Sequence, residues 1–137
     1  MKTCEGRIGR VFVIKLEDGD ILPECIERFA EEKGISVGQV ILLGGIKSGR
    51  LVVGPKRSEK RPPQTTVLSI KDTHELAAVG VLAPNEEGKP VLHIHGTLGR
   101  SGKTIGGCLR LGVTTWLIGE VILCEIIGAD VKRTLDK

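Results

Sequence analysis

The chain has 137 residues and a formal charge of +3. That is the length of one domain with enough interior to fold without staples, and the charge is too mild for a dedicated DNA-binder. Phe12, Phe29 and Trp116 are its aromatic residues, with no Tyr, which argues against an aromatic platform for single-stranded nucleic acid.

A core short of aromatics must be built from Val, Ile and Leu, which suits β-structure. Cys4, Cys25, Cys108 and Cys124 are widely spaced with no CxxC pair, so a secreted disulfide framework is not expected. No signal peptide is read, and the expected compartment is a reducing cytoplasm. The most apolar stretch, Trp116 to Ile127, is too short to span a bilayer and carries Glu120 and Glu125, so it reads as a buried strand and no membrane is expected as a partner.

In chain order, residues 8–16 (IGRVFVIKL) predict a first strand. Asp20 is a candidate N-cap for a helix in which Leu22, Cys25, Ile26, Phe29 and Ala30 share one face, with Gly34 closing it. Val37–Leu43 and Ile46–Gly54 read as two strands separated by a bend at Gly44-Gly45. Residues 55–64 (PKRSEKRPPQ) read as an exposed loop. Thr65–Ile70 and Glu75–Leu82 follow as strands, and Asn85 to Gly88 turns the chain into Val91–Leu98. Lys103–Leu109 is the return strand, Val113–Ile127 contains the last long one, broken near Gly119, and 130–137 reads as a polar tail that frays. No internal repeat is evident. The pattern predicts a single α+β domain, 1–137, with a mostly antiparallel sheet and one main helix near the N-terminus.

Chemistry concentrates in residues 91–109 (VLHIHGTLGRSGKTIGGCL). In a strand, positions i and i+2 face one side, so His93 and His95 project together and Ile94 opposes them. A turn centred between Arg100 and Ser101 would set Cys108 across from His93, on the same face. Two imidazoles and a thiolate suit zinc, with His74 or water as fourth ligand. With an open position, such an ion activates water. Glu75 and Glu120 are the candidate bases for such a reaction. The alternative is a pair of hydrogen-bonded sheet histidines and a small buried cysteine. The segment GRSGKT is not a phosphate loop: Thr97, not Gly, stands at the motif's first position, and Ile105-Gly106-Gly107 is a poor helix start. Arg100 and Lys103 remain candidates for binding a smaller anion.

The strand beginning His74-Glu75-Leu76 and leading to Gly80 is followed by GKPVLHIHGTLGR and TIGGCLRLGVTTWLIGEVILCEIIG. Together with IGRVFVIKLEDGDILPECIERFAEEKGI and VILLGGIKSGRL, these segments resemble the plants and prokaryotes conserved (PPC) domain family in its stand-alone prokaryotic form, over nearly the whole chain. The His-x-His strand followed by Gly-Gly-Cys is the most specific part.

The resemblance implies a largely antiparallel α/β domain that assembles as a homotrimer. It also implies a metal, often zinc, on the paired histidines and the residue after Gly-Gly. Many members have His where this chain has Cys108. In plant relatives the domain follows AT-hook motifs, but Lys60-Arg61-Pro62-Pro63 lacks the glycine of that motif, so specific nucleic-acid binding is not expected. Three functions follow as expectations. The first is a cytoplasmic trimeric zinc-binding domain, open to a small-molecule ligand. The second is a hydrolase-like metal enzyme, and the third a DNA-associated regulator by family analogy.

Overall fold

Residues 1–134 are described by the computed structural model. Seven strands and one helix run in the order β1 (Arg7–Glu17), β2 (Ile21–Leu22), α1 (Glu24–Glu32), β3 (Gly38–Pro55), β4 (Thr65–Ile70), β5 (His74–Pro84), β6 (Pro90–Arg100) and β7 (Lys103–Ile127). Every strand pairing is antiparallel, which permits the short connections seen in the sequence.

Two long strands carry the architecture. β3 and β7 pair from Gly38↔Glu125 to Val52↔Cys108, with the register slipping near Gly44, Gly45 and Ser48. The β5–β6 hairpin then bridges them, β5 lying on β3 and β6 on the first part of β7. The pairings therefore close on themselves, and β1 and β4 extend the sheet beyond the ring. Leu42, Ile46, Leu51, Leu82, Ile94, Leu98, Leu109 and Leu123 fill the inward face, each nearly fully buried. This is the Val/Ile/Leu core that the aromatic-poor composition requires.

Several expectations need correction. The two strands foreseen on either side of Gly44-Gly45 are one bent strand, because a glycine at φ 146° bends β3 without ending its ladder. The same holds for β7, continuous through Gly112 at φ 60° and Leu117 at φ 60°, and the break expected near Gly119 is absent, since Gly119 pairs with Leu16 and Gly44. The helix begins later than expected: Pro23 is its N-cap and makes no side-chain bond. Asp20 instead accepts the Glu17 amide at 2.8 Å, and the short β2 intervenes. Ile26 and Ala30 anchor α1 in the core, while the Glu27 carboxylate accepts the Leu92 amide at 2.8 Å.

The 55–64 segment is exposed throughout, as expected of a loop. The described part of the tail is held against the sheet. The Arg133 amide donates to the Pro84 carbonyl at 2.7 Å and its guanidinium to the Val81 carbonyl at 2.7 Å. Residues 135–137, part of the stretch expected to fray, lie outside the described residues. No helix among the described residues is long and apolar enough to cross a membrane.

Candidate metal centre

The site is made by strand alternation. Along β6, Leu92, Ile94, Gly96 and Leu98 face the core, which leaves His93, His95 and Thr97 on the outer face. β7 runs back beside β6 through a two-residue turn at Ser101 (φ 50°) and Gly102 (φ 73°). Positive φ at both central positions is the type I′ geometry that matches the twist of the flanking strands. The turn is thus centred one residue later than expected, because Gly102 rather than Gly99 takes the left-handed position. Cys108 consequently stands across from His95, not His93. A whole-residue shift of the turn centre moves the partner by two, so Cys108 keeps its face.

The Nε2 atoms of His93 and His95 lie 3.0 Å apart, and their rings cross at 81°. The ligand atoms of His93, His95 and Cys108 all lie within 4.8 Å of one another. The two imidazoles are exposed and the cysteine is buried at 5% exposure, between His95 of β6 and Val52 of β3. Partial burial, and then the charges of His95, Arg133 and Arg110, lower the pKa of His93 from the ordinary histidine value, which disfavours its charged form. Arg110 and Arg133 escaped the sequence reading. Arg110 carried a signal, since it lies two residues beyond Cys108 and shares its parity. Arg133 carried none.

The other predicted residues lie elsewhere. His74 begins β5, five positions before the Val79 that pairs with His95, or about 16 Å along the strand. Its Nδ1 is 3.0 Å from the Asp72 carbonyl, so within one chain it does not join the set. Glu75 stands beside Gly99 and Gly45, and Glu120 beside Lys15 and Leu43; neither candidate base reaches the histidines. Arg100 and Lys103 face each other across the hairpin tip. Glu125 is engaged by Arg10, whose Nε and Nη2 each approach a carboxylate oxygen at 2.8 Å. That pair drives the Glu125 carboxyl down to about 2. Burial pushes the Cys25 thiol up to about 11, as befits a structural residue. All four cysteines are free thiols.

The outer face beside the histidines is apolar. His95 pairs with Val79, Val79 with Ile41, Ile41 with Ile122, and Ile122 with Val13. These four apolar side chains are all exposed, from 41% at Ile41 to 83% at Val13.

The family model of the Plants and Prokaryotes Conserved (PCC) domain matches residues 4–127. Among solved structures, the chain is similar to a plant- and prokaryote-conserved (PPC) protein of Pyrococcus horikoshii, at 27% identity and a TM-score of 0.86, covering 100% of this chain and 92% of that one. A metal-containing protein of Archaeoglobus fulgidus is 28% identical with a TM-score of 0.87, covering 100% of this chain and 94% of that one. A candidate DNA-binding protein of Ralstonia eutropha shares the fold at 21% identity and a TM-score of 0.74, over 90% of this chain and 83% of that one. Among curated proteins, none matches the chain.

Proposed function

The chain belongs to the Plants and Prokaryotes Conserved (PCC) domain family, and from that premise we propose that it is a homotrimeric metal-binding domain of the cytoplasm, with zinc held by His93, His95 and Cys108. The observation that carries this reading is the 3.0 Å separation of the two Nε2 atoms with a buried thiol on the same face. Tetrahedral zinc with Zn–N bonds of about 2.0–2.1 Å holds two nitrogens about 3.3 Å apart, so the histidines need almost no movement. The sulfur must close in by about 1 Å to reach a Zn–S bond near 2.3 Å, within the reach of a side-chain torsion. Nitrogen and sulfur donors select zinc over magnesium or calcium. The buried Cys108 shields one side of the site from water. Bound there, zinc supplies a Lewis acid with a fourth position open to a small-molecule ligand.

Assembly follows from the apolar row through Val79, Ile41, Ile122 and Val13, which a lone chain would leave in water. Because His95 ends that row, assembly would place the metal beside the interface. A hydrolase-like role is less favoured, since Glu75 and Glu120 stand away from the histidines. DNA association is less favoured because this face is apolar rather than basic; a salt-independent affinity for duplex DNA would set it aside.

Metal analysis of the purified protein beside the His93→Ala/His95→Ala variant tests the proposal. The expected result is about one zinc per chain in the first and none in the second. Metal well below one per chain in both would overturn it. Mass in solution should correspond to three chains, and a monomer would overturn the assembly.

A further inference from the structure

A second concentration of chemistry lies at the far end of β6, about 13 Å along the strand from His95. One registered row crosses the sheet there: Thr104 pairs with Gly99, Gly99 with Glu75, Glu75 with Gly45, and Gly45 with Trp116. Glycines flank Glu75 on both sides, so its carboxylate stands in a trough with no neighbouring side chain in the row. A Cβ on Gly99 would meet nothing within 4 Å. On Gly45 a Cβ would come to 2.9 Å from Cε3 of the Trp116 ring and 2.5 Å from that residue's carbonyl oxygen. Bare backbone at Gly45 is therefore what lets the indole lie against the sheet. A cavity of about 630 Å³ opens beside this row, lined by Thr73, His74, Glu75, Arg100, Lys103 and Trp116 among others. That is within the range of small-molecule sites.

Its charges are arranged, not scattered. Arg100 is fixed by Nη1 donating to the Thr73 carbonyl at 2.8 Å and to its hydroxyl at 3.1 Å. Its Nη2 is 3.9 Å from the exposed Asp72 carboxylate, a weak pair that leaves donors available. Lys103 faces Arg100 across the turn and makes no ion pair among the described residues. The Asp72 carbonyl can only accept, so His74 carries its proton on Nδ1 and leaves Nε2 free. Arg100, Lys103, Glu75 and the Trp116 indole, 36% exposed, thus line one cavity.

We propose that this cavity binds a purine mononucleotide, with its phosphate on Arg100 and Lys103, its base against Trp116, and the donor edge of the base toward Glu75. An arginine fork and a lysine point charge are the side-chain means of holding phosphate where no phosphate loop exists. An indole face takes a planar base. A carboxylate in the same cavity prefers guanine, which offers two parallel N–H donors, to adenine, which sets an acceptor beside its amino group.

Trp116 is the chain's one tryptophan, so its fluorescence reports on this site. Titration with GMP should change the emission with a Kd below about 1 mM, and AMP should bind about tenfold more weakly. Arg100→Ala/Lys103→Ala should weaken GMP at least about tenfold, and Glu75→Gln should erase the preference over AMP. Circular dichroism checks that each variant folds. Zinc removal, and the His93→Ala/His95→Ala variant, should leave GMP binding unchanged, so this site can fail or survive independently of the metal centre. No fluorescence change and no heat of binding at millimolar GMP would overturn the proposal. So would equal responses to inorganic phosphate or guanosine, or affinity that survives loss of both cations.

Discussion

The Nε2 atoms of His93 and His95 stand 3.0 Å apart on the outer face of β6, and Ile94 between them is fully buried on the other. The core side chain thus fixes the strand that aims both rings. Ile94→Ala should destabilise the protein by about 2–5 kcal/mol, the range for truncating a packed aliphatic residue. His95→Gln should change the metal-free protein by less than about 0.5 kcal/mol, since the ring is exposed. Urea denaturation of both variants in the presence of a chelator separates the packing contribution from the ligand contribution.

Much of this site was legible in the sequence because strand parity is a local property. His93 and His95 share a face whatever they pair with, and Cys108 keeps that face for any whole-residue shift of the turn centre. The pairing itself was not legible. Gly99 and Gly102 can both take positive φ, and only the finished hairpin shows Ser101 and Gly102 doing so. The closed ring was hidden for a related reason: the strands read as ending at Gly44-Gly45 and between Leu109 and Val113, yet β3 and β7 continue through both places. His74 and Glu75 neighbour the hairpin in sequence, but the register places them at its far end.

Gly44 should be among the least replaceable glycines. It has φ 146°, and an added Cβ would lie 2.4 Å from the Ile118 carbonyl oxygen and 2.6 Å from the Gly119 Cα, both backbone atoms. Gly88 has φ 81° and open space around it. Gly88→Ala should therefore cost about 1–2 kcal/mol, the left-handed penalty alone. Gly44→Ala should cost more than that, because β3 and β7 must separate. Thermal unfolding of the two variants under one condition gives the comparison.

The acid limb of stability should depend on Arg10 and Glu125. Glu125 falls from 4.5 to about 2 on folding, mainly through its hydrogen bonds to the Arg10 side chain and amide. The unfolded chain therefore binds this proton more readily than the folded one. Its contribution is complete above about pH 4.5 and is lost as the pH falls toward 2. Glu125→Gln should lower stability at pH 7 and flatten its pH dependence between those values. Denaturant midpoints at pH 7, 4 and 2.5 would show this, and parallel curves for the two proteins would contradict it.

The apolar row should govern assembly. Val79→Glu or Ile41→Glu places a carboxylate on an exposed outward position, where a lone chain tolerates it and a buried interface does not. Each should fold, by circular dichroism, and sediment as a monomer at concentrations where the native protein is expected to sediment as the proposed trimer. Native-like association in both variants would move the interface to another surface.

Leu117 gives the sharpest test of that assembly. It holds φ 60° with its side chain 58% exposed, while its amide donates to Asp18 at 3.0 Å. A left-handed leucine is disfavoured by about 1–2 kcal/mol, and glycine would give back about 0.5–1 kcal/mol of that in chain entropy. Within a single chain, Leu117→Gly should therefore be neutral or stabilise by up to about 1 kcal/mol. A strained and exposed leucine makes physical sense where a second chain buries it. Introduced into the monomeric Ile41→Glu background, Leu117→Gly should leave the urea midpoint equal or higher. Introduced into the native chain, it should weaken the proposed trimer on dilution, as sedimentation velocity would record. Destabilisation of the monomer instead would mean that Leu117 acts within its own chain.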